Sequence, residues 1–461
     1  MLIKYKLQTY FYRKIRYSKK MEMAYLILLT ITCIIGLLLT NSYGAKILTL
    51  KLNFASWYFI VEFILTAVLA TYTIDNIDFK TNWVFKLIPE NEFPRFEVIW
   101  ALSWCAISLP LGFILANFIL KKMSYFSDYQ HFLSKEFAKN SISKLFEKIW
   151  IAIILVYTTY TVYKIGFIPQ LESLNWTVTE MALFRGKMTH HFPASVHLKE
   201  LIGLRLIPIF SFYYFSKYLR TTNKKELITL SILIIISIFF ATINLNKSGL
   251  AYYAIGLIIT YGIVKNRVKL RIVIISFACV FILLLGSYYV AKKNSDLIHL
   301  TKGIYHRIIY TEAYANYYSF YFFPKEHKHL GFSSISKFIE YFGLEYSQTA
   351  PRIMMKTADQ AGYKDGRAGY LTSSFISESW ANWGILGIIF GPVIVGFIIK
   401  FIIGMLMNLP KSDLSCALIA FSSYSFKIGF GINNIIFPRY LLVIFILFLI
   451  TYKLSHNQRA R

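Results

Sequence analysis

Apolar runs of roughly 17–25 residues recur along almost the whole chain, the length an α-helix needs to cross about 30 Å of hydrocarbon. A backbone surrounded by lipid must satisfy its N–H and C=O groups within its own segment, so runs of this length are helices. Charged residues make up only 16% of the 461 positions, and the mean hydropathy is +0.51. A soluble domain of this size would need far more surface charge. The expected fold is all-α: a polytopic transmembrane helical bundle of about eleven spans, with a large periplasmic or extracellular loop containing short helices.

The spans are expected near 24–40, 54–73, 97–120, 149–165, 201–217, 227–244, 249–264, 272–290, 374–403, 413–430 and 437–453. They divide the chain into an N-terminal bundle of about eight spans (1–291, with an outer loop at 166–200), a large outer loop (292–373) and a C-terminal bundle of about three spans (374–461). Lys and Arg outnumber Asp and Glu by 50 to 23, giving a formal charge of +27. That excess would suggest nucleic acid in a soluble protein, but here it follows the topology, and no nucleic acid is expected. Basic residues gather in 121–148, 217–226, 265–271 and the C-terminal tail, which the positive-inside rule makes cytoplasmic.

Segments 74–95, 166–200, 292–373 and 431–436 then face outward. Eleven spans also place the N-terminus outside, although residues 1–20 hold seven basic residues and no acid. Either the first run does not fully cross, or these residues form an amphipathic arm whose charge later loops overrule. No cleavable signal peptide is expected, because the first run lacks a small-residue cleavage site. Cys33, Cys105, Cys279 and Cys416 have no metal-binding spacing and read as small buried hydrophobes.

Several polar residues stand out against this background. Arg185, Arg205, Lys247 and Arg439 converge on the outer surface in this topology, forming an electropositive rim without an obvious acidic partner. Such a rim suits a phosphate or pyrophosphate, which arginine grips with two parallel hydrogen bonds. His190 and His191 are adjacent and no third ligand has recognisable spacing, so no metal is expected. In the long loop, Tyr310, Tyr314, Tyr317, Tyr318 and Tyr321 recur at helical spacing, as an interfacial belt for most rings or a sugar platform. His306, Arg307 and Glu312 interrupt that pattern and are candidates for chemistry. Residues 334–343 read as a short amphipathic helix, with Ile335, Phe338, Ile339 and Phe342 on one face, lying flat on the outer leaflet. A polar run with Arg352, Asp359, Asp365 and Arg367 leads to Glu378 at the mouth of the ninth span.

Three features resemble the O-antigen and oligosaccharide repeat-unit polymerases of bacterial envelopes. They are the basic turn Asn246-Lys247-Ser248-Gly249-Leu250, the long outer loop after the eighth span, and its exit. That exit runs through Gly369-Tyr370-Leu371-Thr372 to Trp383-Gly384-Ile385-Leu386-Gly387. Lys247 stands where the family carries arginine, so it offers a point charge instead of a two-pronged grip.

The resemblance implies inverting glycosyl transfer at the outer face of the bacterial inner membrane, without nucleotide sugar or cofactor. Donor and acceptor would be undecaprenyl-pyrophosphate-linked oligosaccharides in membrane lipid, with a chain-length regulator as a further candidate partner. Arg185, Arg205, Lys247, His306, Tyr314, Arg352, Arg367 and Arg439 would hold sugar and pyrophosphate. Glu312, Arg307 and Glu378 would be catalytic, Glu312 first among the candidate bases, which also include Asp359 and His306. An O-antigen ligase of similar layout, a lipid flippase and a structural scaffold are the alternatives. A flippase is disfavoured by the long outer loop and by the absence of an internal repeat.

Overall fold

A computed structural model of the protein describes residues 19–42, 55, 58–74, 82–123, 129–138, 142–245, 247–266, 303–306, 309–366, 368–425 and 431–437, with scattered positions at 271–282, 301 and 443–453. Among these residues every regular element is helical and no strand forms. The bundle begins with α1 (Lys19–Thr40), α2 (Tyr58–Tyr72), α3 (Arg95–Lys122) and α4 (Lys144–Ile165). A short α5 (Val178–His190) follows, then α6 (Ile207–Thr221), entered through a wide π-type stretch, Lys199–Leu206. Next come α7 (Lys224–Thr242), α8 (Lys247–Lys265), α9 (Thr311–Lys325) and α10 (Ala350–Ala358). The last four are α11 (Phe375–Trp383), α12 (Ile385–Asn408), α13 (Asp413–Ser425) and α14 (Gly431–Ile436).

Six of the described helices are long and apolar enough to cross a membrane: α1, the stretch Glu90–Lys122 that contains α3, α4, α7, α8 and α12. Shorter apolar helices lie at Tyr58–Tyr72 and Asp413–Ser423. The protein is therefore a helical membrane protein. The spans expected at 272–290 and 437–453 fall largely outside the described residues.

Close backbone approach holds α3 to α12. Gly112 faces the Val393 carbonyl and Gly396 faces the Leu109 carbonyl so tightly that a Cβ on either would collide with it. Apolar attraction between helices is weak in lipid, so small residues that bring backbones into contact carry much of the association. Gly36 of α1 meets the Ala106 carbonyl of α3 in the same way. α6 is buried along most of its length and packs against α7, α8 and α13.

The described parts of the basic segments 121–148 and 217–226 meet at one end of the bundle, together with Asn266 and Lys411. Lys217 pairs with Glu147 at 3.0 Å and with Glu226 at 3.2 Å, and Arg220 pairs with Asp413 at 2.5 Å. Lys411 donates to the Leu133 carbonyl and to Asn266, and Lys135 donates to the Met407 carbonyl. At the opposite end the Tyr310 hydroxyl donates to the Thr73 carbonyl, Lys325 pairs with Glu92, and Gln170 donates to the Phe239 carbonyl.

Two expectations change here. The expected ninth span, 374–403, is two helices: α11 turns back along α12 at Gly384. Gly384 has φ 58° and ψ −133°, a conformation that essentially only glycine adopts, so the backbone cannot continue as one helix. The stretch expected as an amphipathic helix is a 3₁₀ turn, Lys337–Phe342. Its packing half-buries Ile335 and Ile339, while Phe342 points outward with Tyr341.

Gly384→Ala should therefore lower the thermal unfolding temperature in detergent, by about 1–3 kcal/mol of stability. A Cβ there would also press on the His329 ring. Gly343→Ala, at φ 74° with open space around it, should cost about 1 kcal/mol and serves as the comparison. Equal melting of both variants and wild type would contradict this account of the turn.

Candidate functional site

The end of the bundle opposite the basic segments carries the candidate site, built from α5, α9, α10 and the turn that follows α10. α5 begins with a capping box: Thr177 accepts from the Glu180 amide and Glu180 accepts from the Thr177 amide. This fixes the helix that carries Arg185 on its exposed side. The next residue, Gly186, lies directly against the Gly366 carbonyl, with no room for a Cβ.

Gly366 closes a turn whose other members hold Arg352. The Gly366 amide donates to the Tyr363 carbonyl at 3.2 Å, and Arg352 Nε donates to the Tyr363 hydroxyl at 2.7 Å. The guanidinium also faces the rings of Tyr363 and Tyr370, with centroids at 5.7 and 6.0 Å. Asp359 is half-buried and starts this turn by accepting from the Gly362 amide at 2.9 Å. Helix α5 and helix α10, far apart in sequence, thus meet at one turn.

One helical turn beyond Arg352, Lys356 lines an open cleft of about 490 Å³ with His327, Gln348, Ile353, Thr357 and Gln360. That volume is in the range that holds a sugar unit or a small ligand. The sequence reading missed His327, Lys356 and the two glutamines, because they lie on three separate segments. His327 stacks against Phe322 with ring centroids 5.9 Å apart.

Other expected residues are placed differently. Arg205 pairs with Glu200 at 3.1 Å and also donates to the Glu200 carbonyl, so part of the expected rim has an acidic partner within its own turn. His306 is exposed, with its ring 5.1 Å from that of Tyr310. Tyr310, Tyr317 and Tyr318 are buried. Tyr314 is half-buried, stacked on Tyr310 and edge-on to Phe85 at 5.0 Å, and burial pushes its phenol up to about 12. Phe93 stacks on Tyr317 at 4.7 Å. These rings join segment 82–93 to α9 as a core, which leaves little open face for a sugar. Arg307, Arg367 and Arg439 lie outside the described residues, as do the side chains of Glu312 and Lys247.

Glu378 is only 3% exposed and sits at the start of α14, where the Asn433 amide donates to it at 3.2 Å. Around it, Asn382 donates to Asn433 at 2.9 Å, and Ser334 donates to Asn382 at 2.7 Å. Asn433 in turn donates to the Ser334 carbonyl at 3.0 Å. Ser374 donates to Asn316 at 2.5 Å, tying α11 to α9. Polar residues concentrated in Thr372–Glu378 were the available signal for this cluster. Lys199 has no comparable signal, yet it is buried and donates to the Met188 carbonyl at 2.6 Å. Desolvation pushes its ammonium below the usual lysine range.

Burial pushes the Glu378 carboxyl from 4.5 up to about 7, opposed by the amides of Asn433 and Ile432. The folded state therefore holds this proton more tightly than the unfolded chain. The group's contribution to stability is full below 4.5 and falls as pH rises through about 7. Thermal unfolding in detergent should show that loss, and Glu378→Gln should flatten it within this window. Glu378→Ala should cost about 1–3 kcal/mol by leaving the α14 amides without an acceptor. A wild-type profile indistinguishable from that of Glu378→Gln would refute the assignment.

Among the described residues no group of three His, Cys, Asp or Glu side chains could hold a metal ion. The chain matches no family model, no curated protein and no solved structure.

Proposed function

We propose that the protein is a bacterial inner-membrane glycosyltransferase that joins undecaprenyl-pyrophosphate-linked oligosaccharide units into O-antigen or capsular polysaccharide. The observation that carries the reading is the meeting of Arg185's helix and Arg352 at the 359–366 turn, beside a polar cleft at one end of a membrane bundle. A pyrophosphate leaving group gains negative charge in the transition state, and fixed cations aimed at it lower the barrier. Arg352 is held by neutral tyrosines, so its charge remains available to an anion.

In the reaction, an acceptor hydroxyl attacks the anomeric carbon of the donor sugar. The bond from that carbon to the pyrophosphate oxygen breaks with inversion, and undecaprenyl pyrophosphate leaves with the electron pair. The hydroxyl proton passes to a base; Glu312 on α9 is the first candidate, with His306 and the cleft's His327 as further ones. Glu378, capping a buried helix, is assigned a positioning role. The outward orientation of this end follows from the basic residues gathered at the other.

The test is a purified, reconstituted protein given the lipid-linked repeat unit alone. Wild type should produce a ladder of chain lengths. Arg185→Ala and Arg352→Ala should each lower the rate by a factor on the order of 100 with unchanged protein levels, and Arg307→Ala is expected to do the same. Product that appears only when core lipid is supplied would identify a ligase. A normal ladder from the Arg185→Ala, Arg352→Ala double variant would remove these arginines from the mechanism.

A further inference from the structure

Residues 330–347 form a closed loop rooted on the α11–α12 turn. At its base the Leu330 amide donates to the Ala381 carbonyl at 3.0 Å, and the Gly331 amide donates to the Asn382 carbonyl at 2.7 Å. Ser334, fully buried, is held by Asn382 and Asn433. The neck closes where the Ser347 amide donates to the Ser333 carbonyl at 2.9 Å and the two hydroxyls meet at the same distance. The loop is thus fixed at its root and neck.

Besides the exposed Lys337, Glu340 and Glu345, it presents large apolar side chains outward. Tyr341 is 85% exposed, Phe342 73%, Phe332 61% and Leu344 48%. Four such side chains within thirteen residues are an unusual surface for a segment surrounded by water. They do not stand alone, because α12 carries an exposed apolar stripe of Leu386, Phe390 and Ile394 at four-residue spacing, beginning beside Ile385. In a helix of this length and hydropathy that stripe faces lipid. The Phe332 ring lies 5.5 Å from that of Trp383, two residues before α12 starts. The loop's apolar surface therefore begins at the level where the lipid-facing stripe begins. Lys337 and Glu340, also exposed, supply the polar partners an element at headgroup level requires.

We infer that residues 332–344 are a membrane-surface foot. Phe332, Tyr341, Phe342 and Leu344 enter the interface of the bilayer beside α12, and the occupant of this exposed patch is lipid. The inserting set differs from the face that helical periodicity selects, since Ile335 and Ile339 are half-buried. The foot's root shares Asn382 and Asn433 with the Glu378 cluster, so docking on the bilayer fixes the depth of α11 and α14. The inference is independent of any glycan chemistry.

Phe342→Cys, labelled with an environment-sensitive fluorophore in lipid nanodiscs, tests it on the full chain. The substituted side chain is exposed, so the core is left intact. Cys105 and Cys416 are buried and Cys33 half-buried, and labelled wild type gives the background from native thiols. Lys356→Cys in the open cleft is the water-exposed reference. The expected result is a blue-shifted emission at position 342, quenched by lipids carrying a nitroxide near the headgroup and shielded from aqueous iodide. Emission and iodide quenching equal to those at position 356 would overturn the inference. Shielding from both iodide and lipid nitroxide would overturn it too, pointing to a protein partner or a second copy.

Discussion

The buried hydrogen-bond cluster around Asn433 holds the irregular part of this bundle together. α11 lies back along α12 and the short α14 meets both, an arrangement that exposes helix ends where a straight span would expose none. Each unpaired amide in an apolar interior costs several kcal/mol, so such irregularity persists only where side chains satisfy it. The Glu378 carboxylate accepts at the start of α14, and Asn382, Asn433 and Ser334 close a ring of donors and acceptors beside it. Gly431 fits this approach twice over: φ is 54°, and a Cβ would strike the carboxylate.

The same bundle treats its positive charges in two ways. At the basic end, several charges are neutralised or covered, while others such as Lys121, Lys122 and Lys224 stay exposed. Lys217 and Arg220 meet carboxylates, and the Phe137 ring sits between Arg220 at 4.6 Å and Lys411 at 4.9 Å. At the other end Arg205 has a carboxylate partner, whereas Arg352 is held in place by phenols that leave its charge intact. A guanidinium oriented by a neutral hydroxyl acceptor and aromatic rings can bind an anion without first breaking an ion pair, which distinguishes Arg352 from the other arginines whose partners are described.

α9 serves as the joint between the membrane bundle and the candidate site. Its inner rings pack with Phe85 and Phe93, its Asn316 and Ser319 bond to α11, and its C-terminal end leads to His327 in the cleft. The tyrosines that suggested a sugar platform are thus mostly a packed core, and the polar surface lies one segment further along.

Hydropathy alone determined that the chain is a helical membrane protein, because crossing lipid leaves a backbone so few options that length and composition suffice. The clustering of basic loops was likewise legible, since it depends on counting charges between apolar runs, and the described parts of 121–148 and 217–226 meet at one end. Arg185 and Arg352 stood out as charges in outward segments. The meeting of Arg185's helix with the 359–366 turn that holds Arg352, and the burial of Lys199, depend on contacts between separate segments, which periodicity does not encode. The break at Gly384 was hidden for a similar reason: a glycine in an apolar run reads as tolerated in a helix, and it is tertiary packing, of Gly384 on His329 and of Gly387 and Gly391 on Ser379, that accompanies the positive-φ turn that folds α11 back on α12.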